Sequence, residues 1–268
     1  MNNSPIVTIV TISYNQAEFL ERTILSVINQ TYKNIEYIIF DGGSTDGSIE
    51  LIEKYKEHFA HINIGPDGGA ANALNSAFNL ATGELHAYIN SDDELNLNTV
   101  ETWVQSFEKY PDSDIIYGDI DIIDENGKPT TLPGKSVSTF LAGPYNPRIG
   151  SCGSSAIPQQ ASCARAHLFK EIGGFDPTNR SSWDGEFFVD AAIRDAKFKR
   201  ISGVLAKFRV HGESISGTNK HEEQRKRDHA RMREKWNSSS IEVSKFECIL
   251  SRYFIKVYRA FRYLFFRK

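Results

Sequence analysis

Cysteine is scarce: the 268 residues contain three, Cys152, Cys163 and Cys248. An odd number without zinc-type spacing argues against a disulfide framework or a structural metal knuckle. The expectation is three free thiols in a reducing compartment. Long apolar runs are also missing, and none reaches the roughly 18 residues that a membrane-spanning helix needs. The opening residues lead almost directly into Pro5-Ile6-Val7-Thr8-Ile9-Val10, without the charged region or small-residue cleavage site of a secretory signal. A soluble protein on the cytoplasmic side, or one peripheral on the inner face of the membrane, is expected. Positive charge is not in excess: 31 Lys and Arg against 34 Asp and Glu leave a net charge of −3. That balance argues against a nucleic-acid-binding domain. No Gly-x-Gly-x-x-Gly opens the first helix, which excludes hydride-transferring dinucleotide enzymes, and no internal repeat is visible.

The composition that remains is ordinary for a globular chain, with 40% hydrophobic and 24% charged residues. Residues 6–12 are a run of β-formers without polar alternation beyond threonine, the pattern of a buried parallel strand. A helix over 16–30 follows, with Phe19, Leu20, Thr23, Ile24, Val27 and Ile28 on one stripe. Strands are predicted over 35–40, 61–64 and 86–90, and helices over 47–59, 69–81 and 97–110. This alternation predicts an α/β fold with a doubly wound, mostly parallel sheet and helices on both faces. In such sheets ligands sit beyond the carboxyl ends of the strands.

The second half changes character. Residues 114–123 read as a long strand, turned by Glu125-Asn126-Gly127-Lys128 into a return strand. Residues 139–160, rich in Gly, Pro and Ser, suggest a functional loop over the site. A strand near 161–165, a short helix, a Gly173-Gly174 turn, a helix over 183–195, a strand over 204–210 and two helices complete the chain.

Chemistry-bearing residues gather at the strand ends. Asp41, in Asp41-Gly42-Gly43-Ser44-Thr45-Asp46-Gly47-Ser48, closes the second strand, where a carboxylate can accept hydrogen bonds from a base or ribose. Asp46 is read as a cap for the next helix. In Asn90-Ser91-Asp92-Asp93 two adjacent carboxylates repel one another unless a cation offsets them, and hard oxygen ligands suit Mg²⁺ or Mn²⁺. The alternative there is a turn with Asp93 as a helix-capping acid.

Together these pieces resemble the GT-A-type nucleotide-sugar glycosyltransferases, in particular the inverting glycosyltransferase family 2. The resemblance spans roughly residues 5–212 and rests on Ile12-Ser13-Tyr14-Asn15 with Leu20, Ser26 to Tyr32, Asp41 to Gly47, Asn75, Asn90 to Asp93, Gly173-Gly174-Phe175-Asp176 and Asp184. It implies a GT-A-like catalytic domain over 1–215, with a nucleotide-sugar half (1–112) and a smaller acceptor half (113–215), then a C-terminal helical extension (216–268). The implied donor-binding residues are Ser13, Tyr14, Asn15, Asp41, Asn72, Asn90, Ser91 and Asp92. The implied metal ligands for Mn²⁺ or Mg²⁺ are Asp92, Asp93 and His211, the last an alternative to a structural histidine. Asp184 is the implied base that deprotonates the acceptor hydroxyl, with Glu186 as fallback. The family's usual first motif acid is Asn90 here, and Trp183 replaces an acid before Asp184. Relatives carry an acid where Asn72 stands and a lysine or arginine near Gly68. Pro158-Gln159-Gln160 resembles an acceptor-facing segment. The expected partners are a nucleotide sugar, with a uridine base the commonest, and a glycan or lipid-linked glycan acceptor of a bacterial polysaccharide or lipopolysaccharide pathway.

Two other readings compete. A sugar nucleotidyltransferase would carry a Gly-rich basic signature after the first strand, and Ser13-Tyr14-Asn15-Gln16 has none. A degenerate relative, binding nucleotide or scaffolding an assembly, is what the Asn90 and Trp183 departures would fit. In the tail, residues 241–268 read as one helix with Phe246, Leu250, Tyr253, Phe254, Val257, Phe261 and Leu264 on one face. Lys245, Arg252, Lys256, Arg259 and Arg267 share the other, with Arg262 at its edge. Such a helix either lies in a membrane interface or packs its apolar face onto the domain.

Overall fold

A computed structural model describes residues 4–131, 138–145, 157–213, 222–239 and 244–265. Its first half alternates β1 (Val7–Ser13), α1 (Ala17–Ile28), β2 (Ile35–Asp41), α2 (Ser48–Lys54), β3 (His61–Ile64), α3 (Ala70–Leu80) and β4 (Leu85–Asn90). A short β5 (Glu94–Leu95) and α4 (Thr99–Lys109) follow. The second half contains β6 (Ile115–Ile123), β7 (Thr139–Phe140), β8 (Ser162–Arg165), α5 (His167–Ile172), α6 (Trp183–Ile193) and β9 (Phe198–Arg209), then α7 (Glu222–Asn237) and α8 (Lys245–Phe265).

One sheet runs through both halves in the order β3-β2-β1-β4-β8-β6-β9-β5, with β7 paired to β6. The β3-β2-β1-β4 portion is parallel, as the α crossovers require. β8 runs antiparallel to both β4 and β6, while β9 returns parallel to β6. Alternate strand residues feed two cores. Ile9, Ile39 and Ile89 pack under α1 and α4 with Leu20, Ile24 and Trp103. Val10, Ile38 and Tyr88 pack on the other face with Leu74, Phe78 and Phe187. This is the expected α/β sheet with helices on both faces.

Several local expectations change. Among the described residues the segment after residue 128 contributes one bridge, Ile123 with Pro129, and β7 pairs with Ile120 and Asp121. β9 begins at Phe198, earlier than the pattern indicated, because its first residues pair with β6 rather than showing alternation. Cys248 is disulfide-bonded, which corrects the expectation of three free thiols. Cys163 is free and buried, and Cys152 lies outside the described residues. Among the described residues no helix is long and apolar enough to cross a membrane.

Candidate active site

The site is built from four strand ends and one helix start. Ser13 pairs with Asp41 across β1 and β2, and Ile12 with Asn90 across β1 and β4. The loops leaving those strands therefore open side by side, and the loop after β3 joins them. Between these loops and the N-terminus of α6 lies a cavity of about 760 Å³. Ser13, Tyr14, Gly42, Asp67, Asn90, Ser91 and Asp92 line it from the first half, and Gln159, Gln160, Ser181, Trp183 and Asp184 from the second.

Ser13 is buried, and its hydroxyl is one of the side-chain groups without a hydrogen-bond partner. A buried hydroxyl left unmet at a cavity edge is poised for a ligand, because isolation is otherwise costly. Tyr14 is largely exposed and its ring covers Gly42, where an added Cβ would lie 3.2 Å from Tyr14 Cδ2 and 3.4 Å from Asp67 Oδ2. Glycine at 42 thus keeps the cavity floor open.

Four predicted contacts are not where the sequence suggested. Asp41 is fully buried beneath the floor, where Oδ1 accepts the N–H groups of Gly43 (3.0 Å) and Ser44 (2.7 Å) and Oδ2 accepts the Ser44 hydroxyl (2.8 Å). It shapes the glycine loop and does not reach the cavity. Asn15, in left-handed backbone (φ 51°), accepts the Thr45 N–H through Oδ1 at 2.9 Å and so stitches two loops together. Asn72 donates to the Gly68 carbonyl at 3.3 Å, under the loop it supports. Asp93 is fully buried and does not line the cavity: Oδ1 accepts the Arg209 N–H (2.9 Å) and Oδ2 the Gln160 amide (3.0 Å). Burial and the charge of Asp92 push its pKa well up. Asp46 is not itself the N-cap, which is Gly47, but from one residue earlier it accepts the N–H groups of Ser48 (3.1 Å) and Ala17 (2.9 Å), tying the starts of two helices together.

Asp92 remains at the cavity wall, and its Oδ2 lies 3.0 Å from His211 Nε2. Arg209, wholly buried, fixes this corner by donating from Nε to the Asp92 carbonyl at 2.8 Å while its Nη2 pairs with Glu94. Thr23 donates to the Ser91 and Asp93 carbonyls at 2.9 and 2.7 Å, holding the same turn. Among the described residues no group of three or more His, Cys, Asp or Glu forms a self-sufficient metal cage. One carboxylate beside one imidazole nevertheless fits Mg²⁺ or Mn²⁺, which commonly complete their shells with substrate phosphates and water.

Across the cavity, Asp184 is half-buried in the first turn of α6. Burial raises its pKa, opposed by the backbone N–H groups of Gly185 and Asp184 and by nearby His229. The adjacent Trp183 donates from its indole to the Tyr88 hydroxyl at 3.1 Å, so the residue that departs from the usual acid forms cavity wall. Glu186 is on the far side of the helix, buried and bonded to Asn179 (2.7 Å), Arg231 (2.9 Å) and Lys235 (3.3 Å). It is committed to structure.

A profile described as Glycosyl transferase family 2 matches residues 8–170. The chain belongs to that family. An uncharacterized glycosyltransferase of Mycobacterium tuberculosis strain H37Rv is 28% identical over 201 residues, covering 72% of this chain and 71% of the relative. The fold matches S. aureus TarS residues 1–349 in complex with UDP-GlcNAc at TM-score 0.66 and 19% identity, over 88% of this chain and 68% of that one. The longer TarS chain is covered to 40%. The mannosyltransferase PcManGT of Pyrobaculum calidifontis, in complex with GDP-Man and Mn²⁺, matches at TM-score 0.65 and 17% identity, over 94% and 69%.

In this family 2 glycosyltransferase one site residue had no sequence signal. Arg180 reaches across 112 residues to donate to the Gly68 carbonyl at 2.7 Å, and it covers Gly69, whose φ of +109° favours glycine. Asp228 of α7 holds that loop, accepting the Arg180 N–H (3.2 Å) and the Ser181 hydroxyl (2.6 Å).

Proposed function

We propose that the protein is an inverting, metal-assisted glycosyltransferase that moves a sugar from a nucleoside-diphosphate sugar to an acceptor hydroxyl. The observation that carries this reading is that Asp92 and Asp184, from the two halves of the chain, line one cavity at the strand carboxyl ends. Ser13 and Tyr14 flank the base, and Asn90 and Ser91 face the ribose. Asp92 and His211 hold the ion, and Arg180 lies beside the diphosphate. When bound, Mg²⁺ or Mn²⁺ offsets charge on the departing diphosphate. The Asp184 carboxylate takes the proton of the acceptor hydroxyl as its oxygen attacks the anomeric carbon. The bond from that carbon to the diphosphate breaks, and the nucleoside diphosphate leaves with the electron pair. Attack from the side opposite the leaving group inverts the configuration.

Uridine is the first base to test, since one structural neighbour is in complex with UDP-GlcNAc, and guanosine the second, since another is in complex with GDP-Man. Gln159 and Gln160, with Trp183, form the acceptor side. A glycan or lipid-linked glycan is the acceptor class, in polysaccharide or lipopolysaccharide synthesis on the cytoplasmic side of the membrane. The test is a thermal-shift panel of nucleoside diphosphates with and without Mn²⁺, followed by donor hydrolysis. One diphosphate should stabilise the protein, and only with the ion. No stabilisation by any of them, and no hydrolysis, would leave a scaffold instead.

A further inference from the structure

Helix α8 meets the rest of the molecule by its polar side. Arg262 forms a two-pronged pair with buried Asp119 at 2.9 and 2.8 Å. Arg259 donates to the Leu141 carbonyl at 2.8 Å and lies 4.0 Å over the Phe140 ring. Tyr263 donates to the Thr139 carbonyl, Ile255 is buried against Tyr145, and Cys248, at the same side of the helix, is disulfide-bonded. An amphipathic helix of a globular protein ordinarily buries its apolar stripe. Here the stripe faces outward: Phe246, Ile249, Leu250, Tyr253, Phe254 and Val257 are each between 48% and 69% exposed. Of the two expectations for the tail, packing of the apolar face onto the domain is not what the structure has: the docked side carries Arg259, Arg262 and Tyr263 with Ile255.

Charge says what covers this stripe. At about 100° per residue, the positions of Lys245, Arg252 and Lys256 fall along one border of it, and Lys256 is exposed. The helix carries five cations and one acid, Glu247, and two of the cations, Arg259 and Arg262, meet the rest of the molecule. Aromatic side chains flanked by cations match a bilayer surface, where rings sit at the headgroup level and cations meet lipid phosphates. A second copy fits less well. An antiparallel helix pair sets each border against its own copy, bringing the cationic borders together. At 21 residues the helix is long enough to span a bilayer, but its charges keep it from being apolar enough to cross one, which leaves contact along the surface.

We propose that α8 is a docking surface for an anionic lipid bilayer, contacted through the stripe from Phe246 to Val257 with Lys256 at its edge. The test is co-sedimentation of the full chain with phosphatidylcholine vesicles, with and without phosphatidylglycerol, at low and high salt. The chain should pellet with the anionic vesicles, less so at high salt. Phe254→Asp should lower the bound fraction by about tenfold or more, and Lys256→Glu should weaken binding to the anionic vesicles alone. Both sites are exposed, so melting temperature should not move, and this measurement separates lost binding from lost fold. Failure of the wild-type chain to pellet with either vesicle overturns the proposal. So does undiminished binding by Phe254→Asp, or a micromolar dimer in sedimentation velocity that Phe254→Asp splits, which would assign the stripe to a second copy.

Discussion

Asp92 Oδ2 and His211 Nε2 lie 3.0 Å apart although 119 residues separate them, and the pair sits where the β4 turn meets the end of β9. The His211 side chain is nearly buried and the Asp92 side chain partly open, with exposures of 7% and 19%. The carboxylate is thus the group offered to the cavity, and the imidazole stands behind it beside the Phe19 ring at 4.6 Å.

If this pair holds the ion, its members should not be equivalent. Asp92→Ala should abolish detectable donor turnover. His211→Ala should leave turnover recoverable at higher Mn²⁺, with the half-saturating concentration raised roughly 10- to 100-fold. A Mn²⁺ titration of donor hydrolysis distinguishes the two. Equal Mn²⁺ dependence in wild type and His211→Ala would remove the histidine from the site.

Asp184 sets a different balance, because function and stability oppose each other there. Burial raises its pKa, while the unfolded chain ionises at the ordinary aspartate value. Between those two pH values the folded state holds a proton that the unfolded state has lost, so stability falls as pH rises through the window. The penalty of an ionised, half-buried carboxylate then persists at neutral pH. Asp184→Asn should accordingly raise the melting temperature at neutral pH and lower kcat by about 10²- to 10⁴-fold. The acid limb of the wild-type kcat/KM profile should lie above the ordinary carboxylate range. Glu186→Gln is the control: its ion pairs with Arg231 and Lys235 weaken, so melting falls while turnover per folded molecule holds.

The parallel half was legible because its signals are local: buried β-branched runs and helix stripes report their own partners. The choice between Asp92 and Asp93 was not, since Asp93 is claimed by Gln160 and Arg209, 67 and 116 residues away. Adjacent residues on an extended turn point to opposite sides, and only the tertiary partner decides which side is cavity. Asp41 shows the same limit. Its sequence marks a strand end, but the hydrogen bonds that seal it come from a loop conformation set by Gly43 and Ser44. In α8 the 3.6-residue pattern separated an apolar stripe from the cations but set Lys256 beside Arg259 with Arg262 at the edge, whereas Arg259 and Arg262 dock and Lys256 is exposed. The Asp119 carboxylate on β6, buried and needing a cation, settles that in favour of Arg262.

Arg180 should act on donor binding more than on chemistry. Its guanidinium lies at the Gly68–Gly69 backbone, and its main chain is held by Asp228, itself buried and bonded also to Gln224 at 3.0 Å. Arg180→Ala should raise KM for the donor by about tenfold with a smaller change in kcat, the loss of roughly one charge-assisted contact. Asp228→Asn should show the same direction together with a lower melting temperature, because the Ser181 hydroxyl and the Arg180 N–H lose an ionised acceptor. A kcat effect larger than the KM effect for Arg180→Ala would move that residue from donor binding to the chemical step.

His86 makes the fold itself sensitive to acid. The ring is buried between Phe78 and Phe169, with centroids 5.0 and 5.2 Å away, and neither ring nitrogen has a hydrogen-bond partner. Burial lowers its pKa to about 4 from an ordinary value of 6.5. The folded state therefore keeps the imidazole neutral at pH values where the unfolded chain takes up a proton. In that window the unfolded state binds more protons, so stability rises with pH; it is complete above 6.5 and lost on acidification toward 4. The loss is on the order of 2–3 kcal/mol across the window. His86→Phe, which keeps an aromatic in the stack and carries no titratable group, should flatten the stability profile from this residue between pH 6.5 and 4. Urea melts of both proteins at several pH values in that range measure the difference. Parallel profiles would mean that His86 is already solvated or protonated in the folded state, and that the acid sensitivity originates elsewhere.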